Sequence, residues 1–128
     1  TLTGIGSFTY QGQFNITNSP VTNGLSILPV TLQSIYQTWY IVKCYGTLVV
    51  LDNNWHNFSL SSDDGSNLYV DGLLINNDGL HGIQTKSNAK FLQYGLHSIE
   101  IDFFQATGMQ ALIVQEDGNQ IDSNAFYH

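Results

Sequence analysis

Apolar and polar residues alternate along several short segments of the chain, the pattern of β-strands with one buried face. Residues 10–16 and 57–61 both follow it, and in the second segment Phe58 and Leu60 are predicted to point inward. Residues 38–51 are apolar enough for two strands that meet near Gly46. The pattern predicts no amphipathic helix.

The second half of the chain adds a hairpin and three further strands. The pair Asp71-Gly72, which favours a two-residue hairpin turn, separates the apolar residues 68–70 from 73–75. Three further strands are predicted at 90–94, 97–104 and 109–114, separated by turns at Gly95 and 106–108. Earlier in the chain, the sequence predicts a loop at 18–24, which contains Pro20, and one helical turn at 34–37. Roughly eight to ten short strands predict one all-β domain, an antiparallel sandwich of jelly-roll type, with two layers favoured over a closed barrel.

The charge balance narrows the classes of ligand. The 128 residues carry a net charge of −7, with three lysines and no arginine. Nucleic acids and anionic membrane surfaces require clustered cations, which this chain lacks. We therefore expect an uncharged ligand or a cation.

Cysteine content and the chain start suggest how the protein is made. Cys44 is the only cysteine, so no intrachain disulfide forms, and its apolar surroundings predict a buried, unreactive thiol. No segment has the length and hydrophobicity of a membrane span. Because the chain begins at Thr1, we expect a module processed or excised from a larger secreted protein.

The adjacent carboxylates Asp63 and Asp64 are the strongest candidate for a binding site. Calcium takes six to eight oxygen ligands and would offset the repulsion between two neighbouring carboxylates. Successive side chains normally point in opposite directions, so both can reach one ion only across an unusual backbone such as a cis peptide. The alternative is a turn in which either carboxylate caps backbone amides before Gly65.

The remaining polar clusters have weaker interpretations. Residues 116–119 include Asp117 and Asn119, which could supply oxygens from a facing loop or simply form a surface turn. Glu100 and Asp102 share one face of a predicted strand. We interpret this as a solvated face of the strand rather than as the two catalytic carboxylates of a glycosidase.

Histidines and aromatic residues add little to these candidates. The four histidines lack metal-ligand spacing and are expected to be structural or exposed. The tryptophans Trp39 and Trp55 could stack on sugars, although aromatic residues of a sandwich more often lie in the core.

Residues 55–82 resemble the signature of the protective-antigen ("PA-fourteen") domain family. The matching elements are Phe58, Ser62-Asp63-Asp64-Gly65, Leu68-Tyr69-Val70, Asp71-Gly72 and Leu73-Leu74-Ile75. Further similarity follows in residues 92–104, in residues 108–114 and in the turn at 116–118.

This resemblance implies a β-sandwich that recognises carbohydrate. In the fungal adhesin branch of the family, adjacent aspartates joined by a cis peptide hold calcium, which takes sugar hydroxyls. The resemblance puts Asp63 and Asp64 in those positions, and Asp117 and Asn119 in the place of ligands from a later loop. Gln115 stands where the family often carries a tryptophan.

Two functional hypotheses follow from these observations. The first is an extracellular or cell-surface adhesin-like module that binds a glycan, with Ca²⁺ as cofactor and no enzymatic activity. The second is a structural or assembly module, such as the tip or spacer of a trimeric fibre, without a ligand.

Overall fold

The protein is described by a computed structural model covering residues 15–20, 39–121 and 125–126. These residues form nine β-strands: β1 Asn15–Pro20, β2 Tyr40–Val50, β3 Asn54–Asp63, β4 Ser66–Val70, β5 Leu73–Asn77, β6 Gln84–Leu92, β7 Gly95–Gln105, β8 Met109–Glu116 and β9 Asn119–Gln120. None of the described residues forms a helix that could cross a membrane.

The strands form two antiparallel sheets packed face to face. One sheet has the order β1-β8-β3-β6, with β9 pairing with β8, and the other has the order β2-β7-β4-β5. Consecutive strands therefore often lie in different sheets, which is the strand order of an eight-stranded jelly roll. The predicted all-β antiparallel sandwich is confirmed.

The core lies between the two sheets and is built by alternation along each strand. In β3 the side chains of Phe58 and Leu60 are buried, and in β7 those of Ile101 and Phe103 face them from the other sheet. These residues belong to one cluster that includes side chains from β2, β4, β5, β6 and β8. The inward orientation predicted for β3 is confirmed.

Three predicted boundaries are wrong. Residues 40–50 form one continuous strand, β2, because it pairs with β7 residue by residue through Gly46. The predicted loop at 18–24 overlaps the end of β1, which pairs with β8 up to Pro20. The strand predicted at 90–94 is instead the longer strand β6, which begins at Gln84 and ends at Leu92. The predicted helical turn at 34–37 lies outside the described residues.

The predicted hairpin turn at Asp71-Gly72 is confirmed, and an ion pair holds it. Asp71 adopts a φ of 51° and its Oδ2 lies 2.5 Å from His97 Nδ1, while its Oδ1 accepts a hydrogen bond from Ser98 N. The hydrogen bonds to Gln93 O and to Asp71 raise the pKa of His97. Burial alone would raise the pKa of Asp71, but the hydrogen bonds from His97 and Ser98 outweigh it and lower that pKa.

Candidate functional site

The short connection between β3 and β4 crosses from one sheet to the other at one end of the sandwich. Strand β3 ends at Asp63 and β4 begins at Ser66, so Asp64 and Gly65 alone make the crossing. The turn at 106–108 and the loop at 78–83 lie at the same end. We call this region the aspartate end of the sandwich.

The peptide bond between Asp63 and Asp64 is cis. A cis bond is the unusual backbone that adjacent side chains need if both are to reach one ion. Across a cis bond the two Cα atoms are about 2.9 Å apart. Both residues are largely buried, with exposed fractions of 8% and 7%.

Asp64 is held by the end of β7. Its Oδ2 accepts a hydrogen bond from Ala106 N (2.8 Å), and its own backbone N donates to Gln105 Oε1 (3.1 Å). Gln105 is fully buried and also donates from Nε2 to Met109 O (2.9 Å). Gln105 therefore links the aspartate pair to the turn before β8, a role that nothing in its local sequence indicates.

Gly65 has contacts that require the residue to be glycine. A Cβ atom at this position would lie 2.8 Å from both N and O of Gly79 and 2.9 Å from Asp78 Oδ1. Gly65 O also accepts a hydrogen bond from Phe104 N (2.8 Å). The loop between β5 and β6 thus packs directly against the connection that carries the two aspartates.

Asp63 differs from Asp64 in its surroundings. Its carboxylate has no hydrogen-bond partner among the described residues, and it is largely buried. Burial raises the pKa of Asp63, the charge of Asp64 raises it further, and His81 lowers it. The pair therefore concentrates negative charge that the surrounding protein leaves partly uncompensated.

An exposed tryptophan is joined to the pair through the backbone of Ala106. Trp39 N donates to Ala106 O (3.0 Å), and Ala106 N is the donor to Asp64. The Trp39 side chain is 61% exposed and makes an edge contact with Phe104. Trp55 is 63% exposed at the start of β3, so the expectation that the tryptophans lie in the core is wrong.

Asp117 and Asn119 do not lie near Asp63 and Asp64. Asp117 N donates to Asn57 O (2.7 Å), and the strand from Asn57 to Asp63 separates the two groups by roughly 20 Å. Because β8 runs antiparallel to β3, the turn after β8 lies at the beginning of β3. An ion held by Asp63 and Asp64 cannot take Asp117 or Asn119 as ligands.

The other candidate side chains have unreactive environments. Burial raises the pKa of the Cys44 thiol to about 11, in line with the predicted unreactive cysteine. Burial, and after it the neighbouring Glu100, raise the pKa of Asp102 to about 6. Both residues are half-buried on the same face of β7.

The sequence matches the PA14 domain family over residues 10–121. The chain belongs to this family. The resemblance to the protective-antigen module is therefore confirmed, and the cis Asp63-Asp64 bond lies within the matched region. No curated protein matches the chain.

Solved structures share the fold of this PA14 domain at low sequence identity. The PA14 sugar-binding domain from an RTX adhesin is 22% identical, with a TM-score of 0.70 over 92% of this chain and 76% of that one. The PA14 domain of the MpAFP antifreeze protein is 12% identical, with a TM-score of 0.68 over 91% and 71%. An anti-sigma factor domain-containing protein has 22% identity and a TM-score of 0.73, over 94% of this chain and 41% of its own.

Proposed function

We propose that this PA14 domain is an extracellular carbohydrate-binding module that holds sugar hydroxyls at the aspartate end through Ca²⁺ bound by Asp63 and Asp64. The observation that carries the proposal is the adjacent, largely buried pair of carboxylates, of which Asp63 has no hydrogen-bond partner among the described residues. Oxygen donors of this kind suit a hard cation.

The donor set leaves room for a ligand. No group of three or more His, Cys, Asp or Glu side chains in the described residues is arranged to hold a metal ion. Asp63 and Asp64 therefore supply only part of the six to eight oxygens that Ca²⁺ takes. Backbone carbonyls, water and sugar hydroxyls would complete the set, so the sugar itself can be a ligand.

Trp39 provides a surface for the apolar face of a sugar ring. Its side chain is exposed and its backbone is joined through Ala106 to Asp64. A sugar that reaches from the cation to this ring would present its hydroxyls to the one and its C–H face to the other. The sugar-binding PA14 domain of the RTX adhesin, which shares the fold, supports a carbohydrate-binding role in general.

The experiment is a glycan array read in calcium and in EDTA, followed by titration calorimetry with the best sugar. We expect the parent to bind the sugar in calcium but not in EDTA. The Asp63→Asn variant should lose sugar binding, whereas Asp117→Asn, at the other end of β3, should bind the sugar like the parent. Trp39→Ala should weaken binding, whereas Trp55→Ala, the matched exposed tryptophan, should not. EDTA-insensitive sugar binding, or binding retained in Asp63→Asn, would refute the assignment.

The alternative is an assembly module, and exposed apolar side chains favour it. Trp39, Ile41 and Tyr45 are all more than two-fifths exposed on or next to the edge strand β2. Light scattering over a concentration series separates the two functions. A stable oligomer whose size does not change in EDTA, and which binds no glycan, would favour the assembly function.

A further inference from the structure

An open cavity of about 160 Å³ lies on the outer face of the β2-β7-β4-β5 sheet, next to the aspartate end. We call it the outer cavity. Its walls come from β2, from the end of β7, from the connection between β3 and β4 and from the loop after β5, and they include Ile41, Lys43, Gly65, Asp78, Asp102 and Phe104. Because Gly65 directly follows Asp64, the outer cavity begins one residue away from the aspartate pair.

One wall of the outer cavity is apolar. Strands β2 and β7 pair so that Ile41 lies opposite Phe104, and both side chains alternate with buried neighbours and so face outward. Ile41 is 42% exposed. The ring of Trp39 makes an edge contact with Phe104, with the ring centroids 6.3 Å apart. An apolar strip therefore connects the tryptophan proposed to contact a sugar with the wall of the outer cavity.

The other wall is charged, and the protein satisfies its groups only in part. Lys43 Nζ lies 3.8 Å from Asp102 Oδ2, beyond the 2.7–3.2 Å of a hydrogen bond, and the lysine side chain is 54% exposed. Asp102 Oδ1 is buried and has no hydrogen-bond partner among the described residues. Asp78 is exposed, and its Oδ1 accepts a hydrogen bond from Gly79 N (2.8 Å). The outer cavity thus offers one cationic donor and two anionic acceptors.

This lining suits a neutral hydroxylated ring. Two carboxylates against one ammonium disfavour an anionic ligand, and a cationic ligand would meet Lys43. A hydroxyl group can accept a hydrogen bond from Lys43 and donate one to Asp78 or Asp102. The apolar wall would face the C–H groups of the same ring. The volume of about 160 Å³ is smaller than the roughly 300–1,000 Å³ of sites for drug-sized ligands, so it suits one ring.

We propose that the outer cavity binds a second, neutral sugar unit of the glycan whose first unit is held at the aspartate end. This proposal rests on the proposed function, because the first unit anchors the second. Gly65, which belongs to both regions, and the strip from Trp39 to Ile41 give the glycan a continuous surface. The domain then recognises a short oligosaccharide rather than a single terminal sugar, and Lys43 selects the second unit.

The test is a glycan array in calcium that carries each neutral sugar alone and at the end of di- and trisaccharides. Titration calorimetry then compares the methyl glycoside of the bound terminal sugar with the bound disaccharide, which should bind more tightly. Lys43→Met should weaken disaccharide binding roughly tenfold, as for one hydrogen bond to a charged group, and leave methyl glycoside binding unchanged. Ile41→Ala should act in the same direction. The matched controls Lys86→Met on β6 and Leu73→Ala on β5, both exposed, should bind both ligands like the parent.

The two ligands separate this proposal from the proposed function. If the parent binds the methyl glycoside and the disaccharide equally well, or if Lys43→Met weakens both alike, the second sugar unit does not occupy the outer cavity, while the site at the aspartate end stands. Tighter binding of a disaccharide with an acidic second unit would overturn the neutral ligand. A domain that binds no glycan in calcium would refute the proposed function, and this proposal with it.

Discussion

Replacing Gln105 by methionine should destabilise the domain by several kcal/mol although the side chain contacts no ligand. The Gln105→Met substitution keeps the length of the side chain and its apolar stem. It removes the acceptor for Asp64 N and the donor to Met109 O, and Gln105 is fully buried. Each backbone group left unsatisfied costs about 1–3 kcal/mol, so the sum is about 2–6 kcal/mol.

Such a loss is large for a domain of this size, since a total stability of about 5–15 kcal/mol is typical. At about 4 °C per kcal/mol, the melting temperature should fall by about 8–24 °C. The assay is thermal and urea unfolding in EDTA, followed by titration of calcium. Because Gln105 positions Asp64, calcium affinity should fall as well.

The matched control is Gln115→Met, on the half-buried face of β8. Gln115 makes one long contact, 3.4 Å from Ser59 Oγ, so its loss should change stability by no more than about 0.5 kcal/mol. A Gln105→Met protein that unfolds within ~1 kcal/mol of the parent would show that this side chain does not hold the aspartate end together.

Three further outcomes are expected. The Asp71–His97 pair should stabilise the fold most between about pH 4 and 6.5. Because folding lowers the pKa of Asp71, the contribution of the carboxylate is lost as the pH falls through this lowered pKa. Because folding raises the pKa of His97, the contribution of the imidazolium is lost as the pH rises through this raised pKa. Melting curves against pH should therefore flatten in Asp71→Asn, and an unchanged profile would contradict the pair's role. Gly65→Ala should displace the loop between β5 and β6 and lower the melting temperature, while Gly82→Ala, where a Cβ meets nothing within 4 Å, should be neutral. Since burial and the adjacent aspartate raise the pKa of Asp63, its ionised form destabilises the fold above that pKa. Asp63→Asn should therefore melt higher than the parent in EDTA at pH 7 yet gain nothing from calcium; a lower melting temperature in EDTA would refute this reasoning.

The sequence predicted the central strands well because their alternation is strong. Phe58 and Leu60 alternate with polar residues, and Asp71-Gly72 is a pair that strongly favours a hairpin turn. The predicted strand at 90–94 misses most of β6, because β6 lies at a sheet edge where most of its side chains are exposed and no apolar period remains. The local sequence favours a break at Gly46, but a Cβ atom there would meet only ordinary contacts, and the pairing with β7 continues through this residue.

The candidate site was only partly predictable for a different reason. Asp63 and Asp64 are neighbours in sequence, so local pattern was sufficient to find them. The position of Asp117 depends on which strand β8 pairs with, and local sequence does not encode that pairing. Gln105 was missed likewise, since its partners Asp64 and Met109 lie outside its own strand.

The position of β8 between β1 and β3 has a consequence for how the polypeptide is made. Until β8 has been synthesised, the two flanking strands have no common neighbour and present open hydrogen-bonding edges. Such edges recruit strands from other nascent chains. Expression trials that shorten the gene before the codons for Met109–Glu116 should therefore yield inclusion bodies rather than a smaller soluble product.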